Sequence, residues 1–193
     1  MPKYVDHDER RTEIAEAALR MIARDGPGAV SIRALAKELG GSTSMVTYYY
    51  PTREAVLRDL GHRLCRRWID DLDRQLDGLP NGRQRLEAVL HWLLPLEDED
   101  RETESARFAL LAARSDPELR AILLDFDGEM RGVLRRHLDG IVDDQRAAVV
   151  ADALRALTNG IVVDAVLAPA AWPPERQLEV LNVAVAPLVG SDW

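Results

Sequence analysis

The chain has 193 residues, 47% of them hydrophobic and 30% charged, enough for a buried core and too apolar for a disordered polymer. One cysteine, Cys65, excludes an internal disulfide, and no apolar run reaches the roughly 18 residues of a membrane span. The net charge of −8 is unevenly held: residues 1–53 carry 8 Lys and Arg against 7 Asp and Glu, so the acidic excess lies wholly in residues 54–193. Whole-chain acidity therefore does not exclude nucleic acid as a partner of the N-terminal part. The opening MPKYVDHDERR has no apolar stretch of the kind a secretory leader needs, so the expected location is the cytoplasm.

The pattern is helical throughout. Ile14, Ala17, Ala18, Met21 and Ile22 recur at helical spacing behind an Asp6-to-Glu9 capping pair, and Gly26-Pro27-Gly28 stops the helix. Ile32, Leu35, Ala36 and Leu39 give a short second helix with Ser31 as N-cap. Gly40-Gly41 turns the chain, Ser42 caps a short third helix, and Pro51-Thr52 ends it. Thr52 then caps a fourth helix running to about Leu76, and Leu79-Pro80-Asn81-Gly82 breaks the chain. Further helices are predicted near 83–94, 102–114, 117–138, 143–168 and 174–188. Between them stand Pro95 with the acidic run Glu97–Asp100, then Ser115-Asp116-Pro117, Gly140, Pro169 and Pro173-Pro174. The fold class is all-α.

Residues 31–50, short helix, glycine turn, short helix, have the proportions of a helix-turn-helix, whose second helix enters the major groove. An ordinary helical hairpin has the same spacing. The segment TSMVTYYY uses three of the chain's four tyrosines in succession, which suits no single apolar face. Val46, Tyr49 and Tyr50 at i, i+3 and i+4 point inward. Thr43, Ser44, Thr47 and Tyr48 face outward, where small hydroxyls permit close approach and a tyrosine hydroxyl reaches phosphate or base edge. The candidate DNA-binding set is Arg33, Ser42, Thr43, Ser44, Thr47, Tyr48, Tyr49 and Arg53. Tyr49 divides its ring between core and surface. Arg53, Arg33 and Lys37, beside the third helix, are the candidate phosphate contacts.

The segment RRTEIAEAALRMIARDGPGAVSIRALAKELGGSTSMVTYYYPTREAVL resembles the N-terminal domain of tetracycline-repressor-type (TetR-family) regulators. The shared features are an arginine-led first helix ending in glycine, Ser-x-x-x-Leu-Ala, the Gly-x-Ser turn, the aromatic cluster and the start of the fourth helix. The family commonly has tyrosine where Thr47 stands, phenylalanine at Tyr50 and lysine at Arg53. LLPLEDEDRETESARFALLAARSDPELRAI, with LTNGIVVDAVL, resembles more loosely the ligand-binding half of the choline-sensing, betaine-pathway repressors. The resemblance implies a DNA-binding domain at 1–51 and a ligand-binding and dimerisation domain at 52–193.

Other constellations are weaker. His7, His62, His91 and His137 lack metal-ligand spacing, and neither a nucleophile elbow nor a phosphate-cradling loop is present, so no metal, cofactor or catalytic site is expected. Glu97–Asp100 reads as a solvated turn leading into a helix rather than a cation site. Trp68, Trp92, Phe108, Phe126 and Met130 are spread over four predicted helices; as core they need no ligand, and as cavity lining they suit an apolar or quaternary-ammonium effector. The helices near 143–168 and 174–188 are apolar around too much of their circumference for a monomer, which points to a homodimer formed through them. Together these readings describe a repressor, released from a pseudo-palindromic DNA operator by a small molecule. The competing reading is a helical carrier or enzyme without DNA function.

Overall fold

The computed structural model describes residues 7–80, 82–112 and 117–190. The expected cap at Asp6, Asn81 in the fourth-helix break and the Ser115-Asp116 break lie outside them. Among the described residues the chain forms nine α-helices and no strand: α1 His7–Asp25, α2 Ile32–Glu38, α3 Thr43–Tyr49, α4 Arg53–Leu76, α5 Arg83–Trp92, α6 Asp98–Ala112, α7 Pro117–His137, α8 Asp144–Leu167 and α9 Pro174–Val189. A 3-10 turn, Pro27–Ala29, follows α1.

The predicted caps recur at the atomic level. Ser31 accepts from Ala34 N, Ser42 from Met45 N, and Thr52 Oγ1 from Ala55 N. Gly40 sits at φ 63°, a conformation an L side chain strains to adopt, which is why the α2–α3 turn uses glycine. One boundary differs. α6 begins at Asp98, four residues before the predicted start, so the acidic run is the helix's first turn and not a turn before it. Asp98, Glu99 and Asp100 meet the unpaired N–H end of the helix, and Glu97 N–H donates to Asp100 Oδ2 at 3.1 Å.

Packing divides the chain into two compact units, residues 1–66 with 105–124 and residues 67–104 with 125–193. The boundary between these units falls within α4, which begins in the first and ends in the second, and not at the expected 51/52 division. In the first unit, Ile14, Ala17, Ala18 and Ile22 of α1, Leu35 of α2, Val46 of α3, and Val56, Leu57 and Leu60 of α4 are buried. Each such large aliphatic side chain contributes about 1.5–3 kcal/mol. Gly61 lets α7 approach α4: a Cβ there would stand 2.8 Å from the buried Leu119 Cδ1. In the second unit, Leu86, Val89 and Leu90 of α5, Met130 and Leu134 of α7, Leu154, Ile161 and Val162 of α8, and Leu181 and Val185 of α9 are buried.

A polar network ties α3 to its neighbours. The Tyr50 hydroxyl, at the C-cap of α3, donates to Asp59 Oδ2 at 2.5 Å. Arg63 Nε donates to the same oxygen at 2.6 Å, and its Nη1 to Thr12 Oγ1 on α1 at 2.9 Å. Burial, then the hydrogen bond to Asp59, push the Tyr50 hydroxyl up to about 12. Burial opposes ionisation of Asp59 too, yet the hydrogen bonds from Tyr50 and Arg63 outweigh it and hold that carboxyl below its usual value.

Because the folded state holds the Tyr50 proton more tightly than a free tyrosine (pKa about 10), the resulting stability is fully present below about pH 10 and is lost as pH rises toward 12. Urea unfolding of wild type and Tyr50→Phe should therefore show a stability gap that narrows across that window. A gap constant with pH would mean that the fold does not hold the proton.

Candidate nucleic-acid interface

α3 is seven residues long, and its two faces divide cleanly. Val46 is fully buried, Tyr49 is 9% exposed and Tyr50 is 2% exposed, while Thr43, Ser44, Thr47 and Tyr48 lie on the surface. Tyr48 is 71% exposed, a large aromatic ring left in water. It stands edge-on to Tyr49, with centroids 5.0 Å apart at 84°. The surface is thus a strip of three hydroxyls ending in a phenol. Ser44 Oγ and Ser42 Oγ lie 2.8 Å apart, and Thr47 Oγ1 donates to Ser44 O at 3.3 Å. Side chains this short let a helix sink into a groove about as wide as itself, with donors and acceptors at its surface.

Of the remaining candidates, Arg33 is exposed on α2, as is Lys37. Ser42 is exposed and occupied as the α3 cap. Tyr49 departs from its expected double role. The Arg11 guanidinium lies 6.0 Å from its ring centre, and its low exposure makes it a support for Tyr48. Arg53 departs further. Its Nε donates to Val30 O and its Nη2 to Pro27 O, both at 2.8 Å, so the guanidinium grips the turn after α1 instead of projecting toward phosphate. Among the described residues Val30 O lacks a backbone partner and Pro27 O has only a long bond from Val30 N–H at 3.3 Å, so both carbonyls outcompete solvent for those charged donors.

Sequence reasoning missed the residues that α1 brings to α3. His7 lies 6.0 Å from the Tyr48 ring and 5.7 Å from the Tyr49 ring. Arg10 Nη2 reaches Met45 Sδ at 3.3 Å and its Nη1 pairs with Glu13. Arg10-Arg11 at the head of an otherwise apolar-striped helix was the available signal.

The aromatic candidates for an effector site are spread over both units. In the second, Trp68 and Phe126 pack with ring centroids 4.9 Å apart, Met130 is buried, and Trp92 Nε1 donates to Asp71 Oδ2 at 2.8 Å. Phe108 lies in the first unit under the Arg107 guanidinium, 4.4 Å from the ring centre.

Residues 14–60 match the family model for bacterial regulatory proteins of the tetR family, and residues 80–190 match that for the C-terminal part of BetI-type transcriptional repressors. The chain belongs to the TetR family. It is a DNA-binding transcriptional regulator and not an enzyme, which sets the carrier and enzyme reading aside. Among relatives of this TetR-family chain, the HTH-type transcriptional regulator PksA of Bacillus subtilis is 28% identical, over 94% of this chain and 90% of that one. The HTH-type transcriptional regulator BetI of Agrobacterium fabrum is 26% identical, over 84% and 80%. In fold the chain resembles a Rhodococcus transcriptional regulator (TM-score 0.83, 24% identity, 92% and 95% covered). It also resembles a Saccharomonospora viridis regulator solved in complex with choline (TM-score 0.81, 24% identity, 92% and 96% covered).

The geometry of Arg53 sets a testable expectation. Arg53→Ala should lower stability by about 1–3 kcal/mol, the usual cost of losing hydrogen bonds from a charged group, with a correspondingly lower melting temperature. Arg53→Lys should recover only part of it, since an ammonium cannot reproduce the two-pronged grip. An unchanged melting temperature in Arg53→Ala would return the residue to a role at the phosphates.

Proposed function

We propose that this TetR-family protein is a cytoplasmic repressor that binds a pseudo-palindromic operator as a homodimer, each subunit placing α3 in the major groove. The observation that carries this reading is the outward face of α3: Thr43, Ser44, Thr47 and an exposed Tyr48 on a helix whose opposite face is buried. Residues 1–51 act as the DNA-binding part and 52–193 as the ligand-binding and dimerisation part. Arg33, Ser42, Thr43, Ser44, Thr47 and Tyr48 make the contacts, and Tyr49 and Arg53 hold them in place. Thr47 is too short to reach far across the groove, so Tyr48 takes the larger share of direct contact.

The dimer forms through α8 and α9. On α8, Val149 and Leu167 are 70% and 77% exposed, with Ala156 and Gly160 between them also at the surface; on α9, Val183 is 73% exposed. A monomer would leave these side chains in water, whereas small residues between large ones let a second copy's helices approach closely.

A small effector binding among Trp68, Trp92, Phe126 and Met130 of the second unit would favour a spacing of the two α3 helices that no longer matches successive major-groove faces, releasing the DNA as a population shift. Choline, present in the S. viridis regulator, is the first compound to screen, because aromatic faces suit a quaternary ammonium.

Selection from a random DNA pool should return inverted repeats. Recovery of asymmetric sites alone, or of none, refutes the operator model. Tyr48→Phe should leave the melting temperature unchanged while weakening operator affinity by roughly 1 kcal/mol, one net hydrogen bond. Arg33→Ala should weaken specific and non-specific DNA alike and lower the salt slope by about one. Gly160→Arg on the proposed dimer face should yield a folded monomer by light scattering, and a dimer persisting at micromolar concentration would move the interface elsewhere.

A further inference from the structure

The second unit contains an open cleft of about 370 Å³, lined by none of the five aromatic and methionine effector candidates. Its floor is apolar: Leu72 and Leu76 of α4 and Val133 of α7, all buried. Asp73 on the last turn of α4 and Asp77, in the turn just after it, both exposed, supply one edge. Arg85 of α5 with Arg136 and His137 of α7 supply the other charge.

Oppositely charged groups lining one gap ordinarily close on each other. Here the side chains of Asp73, Asp77, Arg136 and His137 take part in no ion pair or hydrogen bond among the described residues. Arg85 is fixed through its Nε, which donates to Leu79 O at 2.9 Å and leaves both terminal nitrogens for another acceptor. The basic edge is crowded: burial, then Arg85, then Arg136 hold the His137 imidazole below its usual value, so three basic side chains stand close together there. The volume lies within the range that accommodates small ligands.

We propose that this cleft binds a small zwitterion, its carboxylate on Arg85 and Arg136, its ammonium on Asp73 and Asp77, and its hydrocarbon span on Leu72, Leu76 and Val133. A simple anion would meet the two aspartates and a simple cation the two arginines, whereas a zwitterion satisfies both edges at once. A planar carboxylate suits the two-pronged guanidinium, and an ammonium has three donors to divide between two carboxylates. This site is independent of the proposed effector region and of the DNA-binding reading.

Calorimetric titration of the full chain at low salt with ε-aminocaproate, caproate and hexylamine tests the assignment. The expected result is saturable binding of ε-aminocaproate, roughly tenfold or more tighter than either singly charged analogue. Arg136→Ala, at an exposed position, should weaken ε-aminocaproate by a similar factor with an unchanged melting temperature. Asp77→Ala should weaken ε-aminocaproate while leaving caproate unchanged or tighter. Caproate binding as well as ε-aminocaproate, equal affinities in wild type and Arg136→Ala, or no saturable binding of any of the three at about 10 mM would overturn the proposal.

Discussion

Everything α3 does depends on a constraint outside α3. A helix of seven residues cannot sustain itself in water, because nucleation costs more than so few internal hydrogen bonds return. Its geometry is imposed by what lies beneath it: Val46 in the core, Tyr49 against α1, and Tyr50, whose hydroxyl is held by Asp59 of α4 at 2.5 Å. Arg63 binds the same carboxylate and reaches Thr12 of α1, so one aspartate fixes three helices. The Arg53 grip on Pro27 and Val30 secures the opposite side, holding the chain where it enters α2. With both sides pinned, the exposed hydroxyl face has a defined orientation, the preorganisation a groove-reading helix requires.

The run of three tyrosines follows from this arrangement. Consecutive helical positions advance by about 100°, so three identical residues must face three directions. Tyr48 faces water, Tyr49 seals the boundary with α1 beneath it, and Tyr50, at the C-cap, turns inward to reach Asp59. Substituting phenylalanine, the residue common in the family, at Tyr50 would keep the wedge and lose the link to α4. The departure from the family pattern is therefore structural in its consequence.

Where one physical rule governed a position, the sequence was readable. Apolar spacing and caps located the helices, and Ser31, Ser42 and Thr52 perform the capping their positions imply. The inward and outward faces of α3 also followed from spacing. What escaped was competition between partners. Arg53 was legible as a cation beside a recognition helix, but nothing local announces that the carbonyls of Pro27 and Val30, more than twenty residues earlier, will claim its donors. The contribution of His7 and Arg10 is non-local in the same way, since it depends on where α1 crosses α3. The start of α6 escaped because an acidic run suits both a solvated turn and the first turn of a helix; the hydrogen bond from Glu97 N–H to Asp100 decides it.

α8 carries this conflict furthest. It buries Arg155, 2% exposed, and leaves Val149 and Leu167 in water, reversing the usual sorting of charge and hydrocarbon. The inward half is compensated locally: Arg155 Nε donates to Asp127 Oδ1 at 2.7 Å, and Arg131 bridges Asp127 and Asp152. Burial works against the Asp127 charge, but Arg155 and then Arg131 hold its carboxyl below the usual range, so the pair stays ionised. Such a pair adds little net stability compared with hydrocarbon of the same shape, yet removing one member costs about 3–5 kcal/mol, so it fixes the register of α8 on α7 strongly. The outward half has no compensation among the described residues. A helix held in register by an internal ion pair, with its small and branched apolar residues turned out, is what a symmetric four-helix contact with a second copy would need. This is the physical ground for placing the proposed dimer face on α8 and α9.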